Sequence, residues 1–128
     1  MIERGQGGLI VNIGSVAGSQ TYADGAVYCA SKHAVHALSE GMRIDLLKHG
    51  IKVSEVRPGM VETEFSVVRF HGDRQRADKV YEGVKPLSAE DIADVIGWIV
   101  SLPPHVNVND ILVMPTQQAD AHYTDRKP

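Results

Sequence analysis

A phenol and an ammonium stand four residues apart in the stretch YCASK, where Tyr28 and Lys32 open a segment of helical periodicity. Residues four apart share a helix face, so both side chains reach the same loop. A neighbouring ammonium favours a phenolate and lowers a tyrosine's pKa from its reference value of about 10, towards proton transfer at neutral pH. Ser15 adds a hydroxyl at the end of the apolar run GLIVNIG, where it can donate to a carbonyl or alkoxide oxygen while Tyr28 exchanges its proton. Pro58 and Gly59 end a second run, and a glycine turn there lets backbone amides approach a cofactor beside the same crevice. Thr63, four residues on, offers its hydroxyl to an amide or a phosphate. Each of these has a plain structural alternative: Ser15 opening a turn, Tyr28 packing at a helix start, Lys32 solvated, Thr63 capping a helix.

The elements that must position these groups follow from the apolar pattern. GLIVNIG, Gly8 to Gly14, is a short unbroken apolar run of the kind buried on both faces of a parallel sheet. Small and turn-forming residues make Ser15 to Gly25 a loop at its carboxyl end. From Ala26 to His49 the pattern is helical, with Ala30, Ala34, Ala37, Leu38, Met42 and Leu46 expected as the inward stripe and Gly50 as the stop. Ile51 to Arg57 is a second strand, completing a βαβ unit. Glu62 to Gly83 reads as a charged helical excursion or flap. Ser88 caps an amphipathic helix whose inward face is expected to carry Ile92, Val95, Ile96, Ile99 and Val100, with Trp98 packed on the sheet, and Pro103 and Pro104 end it. NVNDILVMP supplies a last strand, and the polar residues 116–128 are expected to be disordered or to dock on a neighbour. Three strands with helices on both faces leave a sheet edge bare, so the chain reads as the carboxyl portion of a larger α/β domain.

The chain has 128 residues, a net charge of −3 and one cysteine. That length suits one ordinary domain. With no basic block and no long apolar run, neither nucleic acid nor a membrane is an expected partner, and the chain reads as cytoplasmic. Cys29 cannot form an internal disulfide and is expected as a small helix-face side chain. His33 and His36 are three apart without a third ligand at metal-site spacing, so no metal is expected.

NIGSVAG, YCASK and RPGMVETEF, in this order and spacing, resemble the active-site half of the short-chain dehydrogenase/reductase family. EFSVVRFHGD, LSAEDIADVIGWIVSLPPHVNVNDILVMPTQQ and GSQTYADGAVYCASK are similar, within it, to the NADP-dependent 3-hydroxy acid dehydrogenases acting on serine and allo-threonine. The resemblance implies an α/β fold: the C-terminal half of a Rossmann-type doubly wound parallel sheet, the N-terminal nucleotide-binding strands being absent. Residues 1–128 would be the catalytic part of a single domain, with 116–128 as a tail. Tyr28 would be the general acid/base, Lys32 its charged partner and a holder of the nicotinamide ribose, and Ser15 the group that orients the substrate oxygen. Pro58, Gly59, Val61 and Thr63 would lie along the nicotinamide of NADP, with NAD left open as the cofactor. A carboxylate substrate calls for a cation, for which Arg69 is the candidate, and Tyr22 either lines or covers the substrate pocket. Relatives of this kind form dimers or tetramers, so a full-length homo-oligomer is expected.

No glycine-rich strand-to-helix turn that would cradle a pyrophosphate is found, since GQGG at Gly5 to Gly8 precedes a strand instead of following one. The isolated chain is therefore expected to bind cofactor poorly and to turn over little. Two alternatives stand beside the 3-hydroxy acid: a ketone or 3-ketoacyl reductase of the same family, and a non-catalytic cofactor-sensing or interaction fragment.

Overall fold

The computed structural model describes residues 1–127. β1 (Gly8–Ile13), α1 (Ala26–Leu46), β2 (Ile51–Pro58), α2 (Phe65–Arg69), α3 (Arg74–Lys79), α4 (Ala89–Ser101) and β3 (Asp110–Val113) follow one another along the chain. The three strands form one parallel sheet in the order β1-β2-β3. This is the α/β half-sheet that the apolar pattern implies. The charged excursion resolves into the two short helices α2 and α3.

β2 is the spine: Ile51, Val53, Ser54, Glu55, Val56 and Pro58 are all buried. On one face Val56 packs with Ile92 and Ile99 of α4, joined by Leu9, Val11 and Ile111. α4 begins with a capping box in which the Ser88 hydroxyl accepts from the Asp91 amide at 3.2 Å and the Asp91 carboxylate accepts from the Ser88 amide at 2.8 Å. Two N–H groups that a helix start leaves without partners are thereby satisfied.

On the opposite face a polar row crosses the sheet. Asn12, Glu55 and Asp110 stand side by side in the strand register. Asn12 donates to Ser39 Oγ at 3.0 Å and Glu55 meets His36, so this face is the one α1 covers.

Several expectations change in the folded chain. Among the described residues β1 is an edge strand paired with β2, and its residues are half-buried or, at Gly8 and Ile13, exposed, where full burial was expected. β3 is likewise an edge, leaving two edges bare among the described residues instead of one. The inward stripe of α1 is not Ala30, Ala34, Ala37 and Leu38, all of which are exposed. It runs through Cys29, Val35, His36, Ser39, Met42 and Leu46. Spacings of three and four fit both stripes, and the polar row on the sheet selects the one that brings Ser39 and His36 inward. In α4, Trp98 is 50% exposed and Val100 60%, because Ile92, Val95, Ile96 and Ile99 already occupy the inward arc.

The tail docks on its own chain. Gln118 is buried and accepts from the Met60 amide at 2.8 Å, the Ala121 amide donates to Gln20 at 2.8 Å, and the Lys127 amide donates to the Gly83 carbonyl at 2.9 Å. No helix is long and apolar enough to cross a membrane among the described residues.

Candidate active site

The loop after β1 does not wander. Val16–Gly18 forms a 3-10 turn whose cap is Ser15, its hydroxyl accepting from the Ala17 amide at 3.1 Å. A hydroxyl that accepts one hydrogen bond still has its own proton to donate, so capping and substrate contact are compatible. The turn lies directly against α1: a Cβ on Gly18 would stand 2.9 Å from the Lys32 carbonyl oxygen. Only a residue without a side chain allows this approach, which sets the distance between the serine loop and the helix bearing Tyr28 and Lys32.

Lys32 reaches back over the end of β1, its Nζ donating to the Ile13 carbonyl at 3.0 Å. The same ammonium lies 5.8 Å from the centre of the Tyr28 ring. Phe65 of α2 packs on the Tyr28 ring, the two ring centres 5.3 Å apart and tilted by 46°. Tyr28 is thereby held between a charge from its own helix and a ring from the flap.

These groups open onto one cavity of about 610 Å³ at the carboxyl ends of β1 and β2. All nine residues singled out by sequence, Ser15, Tyr22, Tyr28, Lys32, Pro58, Gly59, Val61, Thr63 and Arg69, line it. Arg69 closes one side through a hydrogen bond from Nη1 to the Tyr22 hydroxyl at 3.3 Å, with its guanidinium carbon 5.6 Å from the Tyr22 ring centre. Burial pushes the Tyr22 phenol above its ordinary value, and the Arg69 charge pulls the other way without cancelling it. Tyr22 is therefore a neutral donor or acceptor in the wall at neutral pH.

The sequence reading missed Gln118, Phe65 and Tyr81 as lining residues. Gln118 braces the turn after β2 through the Met60 amide. Tyr81 donates to the Val61 carbonyl at 3.0 Å and shares a hydrogen bond with Ser66, pinning the flap to that turn. Phe65 carried a local signal as an aromatic just after Thr63. Gln118 carried none, because it comes from a polar tail about sixty residues away.

The cavity lies at the carboxyl edge of an open parallel sheet, where such folds bind ligands. The short chain dehydrogenase family matches residues 1–73, and the chain belongs to it. The chain is 46% identical over 120 residues to an NADP-dependent 3-hydroxy acid dehydrogenase of Schizosaccharomyces pombe, spanning 94% of this chain and 46% of that protein. It is 48% identical over 119 residues to a sulfoacetaldehyde reductase of Chromohalobacter salexigens, spanning 93% and 47%. Among solved structures, the closed form of a serine dehydrogenase complexed with NADP+ superposes with a TM-score of 0.90 at 42% identity, covering 100% of this chain and 52% of that one. The chain spans about half the length of the relatives it matches.

Proposed function

We propose that this chain is the catalytic part of an NADP-dependent oxidoreductase acting on a small 3-hydroxy or 3-keto acid. The single observation that supports the reading best is the shared cavity, in which Ser15, Tyr28 and Lys32 face Tyr22 and Arg69 across one opening. NADP would supply the hydride chemistry. Pro58 at the end of β2 and Gly59, Val61 and Thr63 in the loop after it fit the nicotinamide end of such a cofactor, and Lys32 fits its ribose. No glycine-rich phosphate cradle occurs in these residues, so the pyrophosphate end has no counterpart here.

In this reading the Ser15 hydroxyl orients the substrate oxygen, and Tyr28 Oη takes the proton of the alcohol or returns it to the ketone. Lys32, its Nζ held on the Ile13 carbonyl 5.8 Å from the Tyr28 ring centre, keeps a positive charge beside the path of that proton. Arg69 pairs with the substrate carboxylate, aided by the Tyr22 hydroxyl, and fixes which carbon faces the nicotinamide. A second reading replaces the carboxylate by a sulfonate, favoured by the 48% identity to a sulfoacetaldehyde reductase, since Arg69 suits either anion.

The test is NADP(H)-linked turnover by the gene product that contains this chain, on 3-hydroxy acids and on sulfoacetaldehyde, beside its Tyr28→Phe variant. Cofactor binding is followed in parallel by fluorescence. Turnover lost by about a hundredfold or more with binding retained is the expected result for a general acid/base. Unchanged turnover removes Tyr28 from the chemistry. Cofactor binding without turnover on any substrate favours the sensing or interaction reading instead.

A further inference from the structure

His33 and His36 do not act together. His33 Nδ1 lies 2.8 Å from the carbonyl oxygen of Cys29 in its own helix, whereas His36 turns inward to the polar row on the sheet. There its Nδ1 is 2.7 Å from Glu55 Oε2 and 3.6 Å from Asp110 Oδ2. One ligand atom from each of the three residues lies within 4.8 Å of the others. None of the three lines the cavity described above.

We propose that His36, Glu55 and Asp110 bind a first-row divalent cation, zinc by preference, at the seam between α1 and the sheet. Glu55 is fully buried, yet its Oε1 meets no hydrogen-bond donor, and the same holds for the buried Asp110 Oδ2. Beside Oε1 stands Gly14, where a Cβ would come within 2.1 Å of that oxygen, so no side chain competes for it. Arg57 takes Asp110 Oδ1 through Nε at 3.0 Å and Nη2 at 2.8 Å, which leaves Oδ2 as the oxygen near His36. Two carboxylates against one guanidinium leave a negative charge over at a largely buried place, and such a charge is costly without a counter-charge.

The donor set is one imidazole nitrogen and two carboxylate oxygens. Zinc accepts both kinds at about 2.0–2.2 Å, which sets tetrahedral donors about 3.4 Å apart, so the 2.7 Å His36–Glu55 pair has to open and the wider pairs, now within 4.8 Å, have to close around it. Three protein ligands leave a fourth position for water. On the far side of the imidazole Nε2 is 3.9 Å from Glu40 Oε1, too long for a hydrogen bond but near enough for that carboxylate to add negative charge beside the site. The unpaired oxygens themselves are sealed from solvent, and the side of the site nearest solvent is formed by His36 and Asp110, whose side chains are 31% and 26% exposed.

The experiment is a cobalt titration of the chain, purified without a histidine tag and stripped with a chelator. Cobalt stands in for zinc because its visible bands report coordination. The expected result is a saturable band that zinc displaces, with a melting temperature raised by zinc. His36→Ala and Glu55→Gln should each weaken cobalt binding at least about tenfold, while His33→Ala leaves it unchanged. Circular dichroism checks the fold of each variant. The half-exposed His36 gives a readable substitution even where Glu55→Gln impairs folding. The absence of a saturable band in molar excess of cobalt overturns the proposal, and so does binding that His36→Ala leaves intact.

Discussion

Arg69 separates charge from shape. Its guanidinium lies 5.6 Å from the Tyr22 ring centre and 5.7 Å from that of Phe70, so two rings neighbour a planar fork that lines the cavity. A hydrogen bond to a charged group is worth about 1.5–3 kcal/mol, so Arg69→Ala in an active gene product should lower kcat/KM for an acid substrate about tenfold to a hundredfold, through a raised KM and, because the arginine also orients the substrate, a lower kcat. Arg69→Lys should recover only part of this, because an ammonium keeps the charge and loses the fork. Steady-state kinetics on the paired variants decide the matter, and a KM unmoved by either change would assign the arginine to the flap alone. Residue types and order singled out Ser15, Tyr28 and Lys32 before any fold was known, and the fold places all three on the wall of one cavity. The contact of Gly18 with Lys32 was not legible. It depends on two backbones approaching across a distance that no local pattern encodes.

At the scale of elements, the clearest signals were local. Ser88 followed by Asp91 announces a helix start, and the reciprocal hydrogen bonds are found there. Ser88→Ala should lower stability by about 1 kcal/mol, read as a lower urea midpoint at unchanged m-value. A midpoint equal to that of the parent would mean that the cap is replaced by water. The faces of the helices were harder to read than the helices themselves. α1 has two stripes of suitable spacing, and its inward one carries Ser39 and His36 because Asn12 and Glu55 await them on the sheet. Hydrophobicity alone favours the stripe that includes Ala30, Ala34, Ala37 and Leu38, and those four stay in solvent while Met42 and Leu46 turn inward. Trp98 failed as a core residue for a related reason: an arc of four apolar side chains already fills the space between α4 and the sheet.

At the scale of the whole molecule, the tail ties the ends of the fold together. The amides of His122 and Tyr123 donate to Asp120 Oδ1 at 2.7 and 2.8 Å, and in that order of influence they hold its carboxyl below the ordinary value of 3.8. A carboxyl with a depressed folded pKa contributes stability that is complete above its unfolded value and is lost as the pH falls through the folded one. The turn at 120–123 should therefore stay closed at neutral pH and loosen in acid below about pH 3.8. Amide shifts of His122 and Tyr123 followed by NMR should titrate below that value and stop titrating in Asp120→Asn. Titration at the ordinary value would show that the turn does not hold the carboxylate. What the amino-acid order determined by itself was local: which segments are strands and helices, where α4 begins, and which hydroxyl, phenol and ammonium have the chemistry for proton transfer. Those are consequences of backbone propensity, periodicity and side-chain type, all of which act over a few residues. Tertiary structure alone decided which face of α1 turns inward, that Gln118 returns to brace Met60, and that His36, Glu55 and Asp110 meet. Each is a choice between arrangements of nearly equal local energy, settled by what the opposite surface offers.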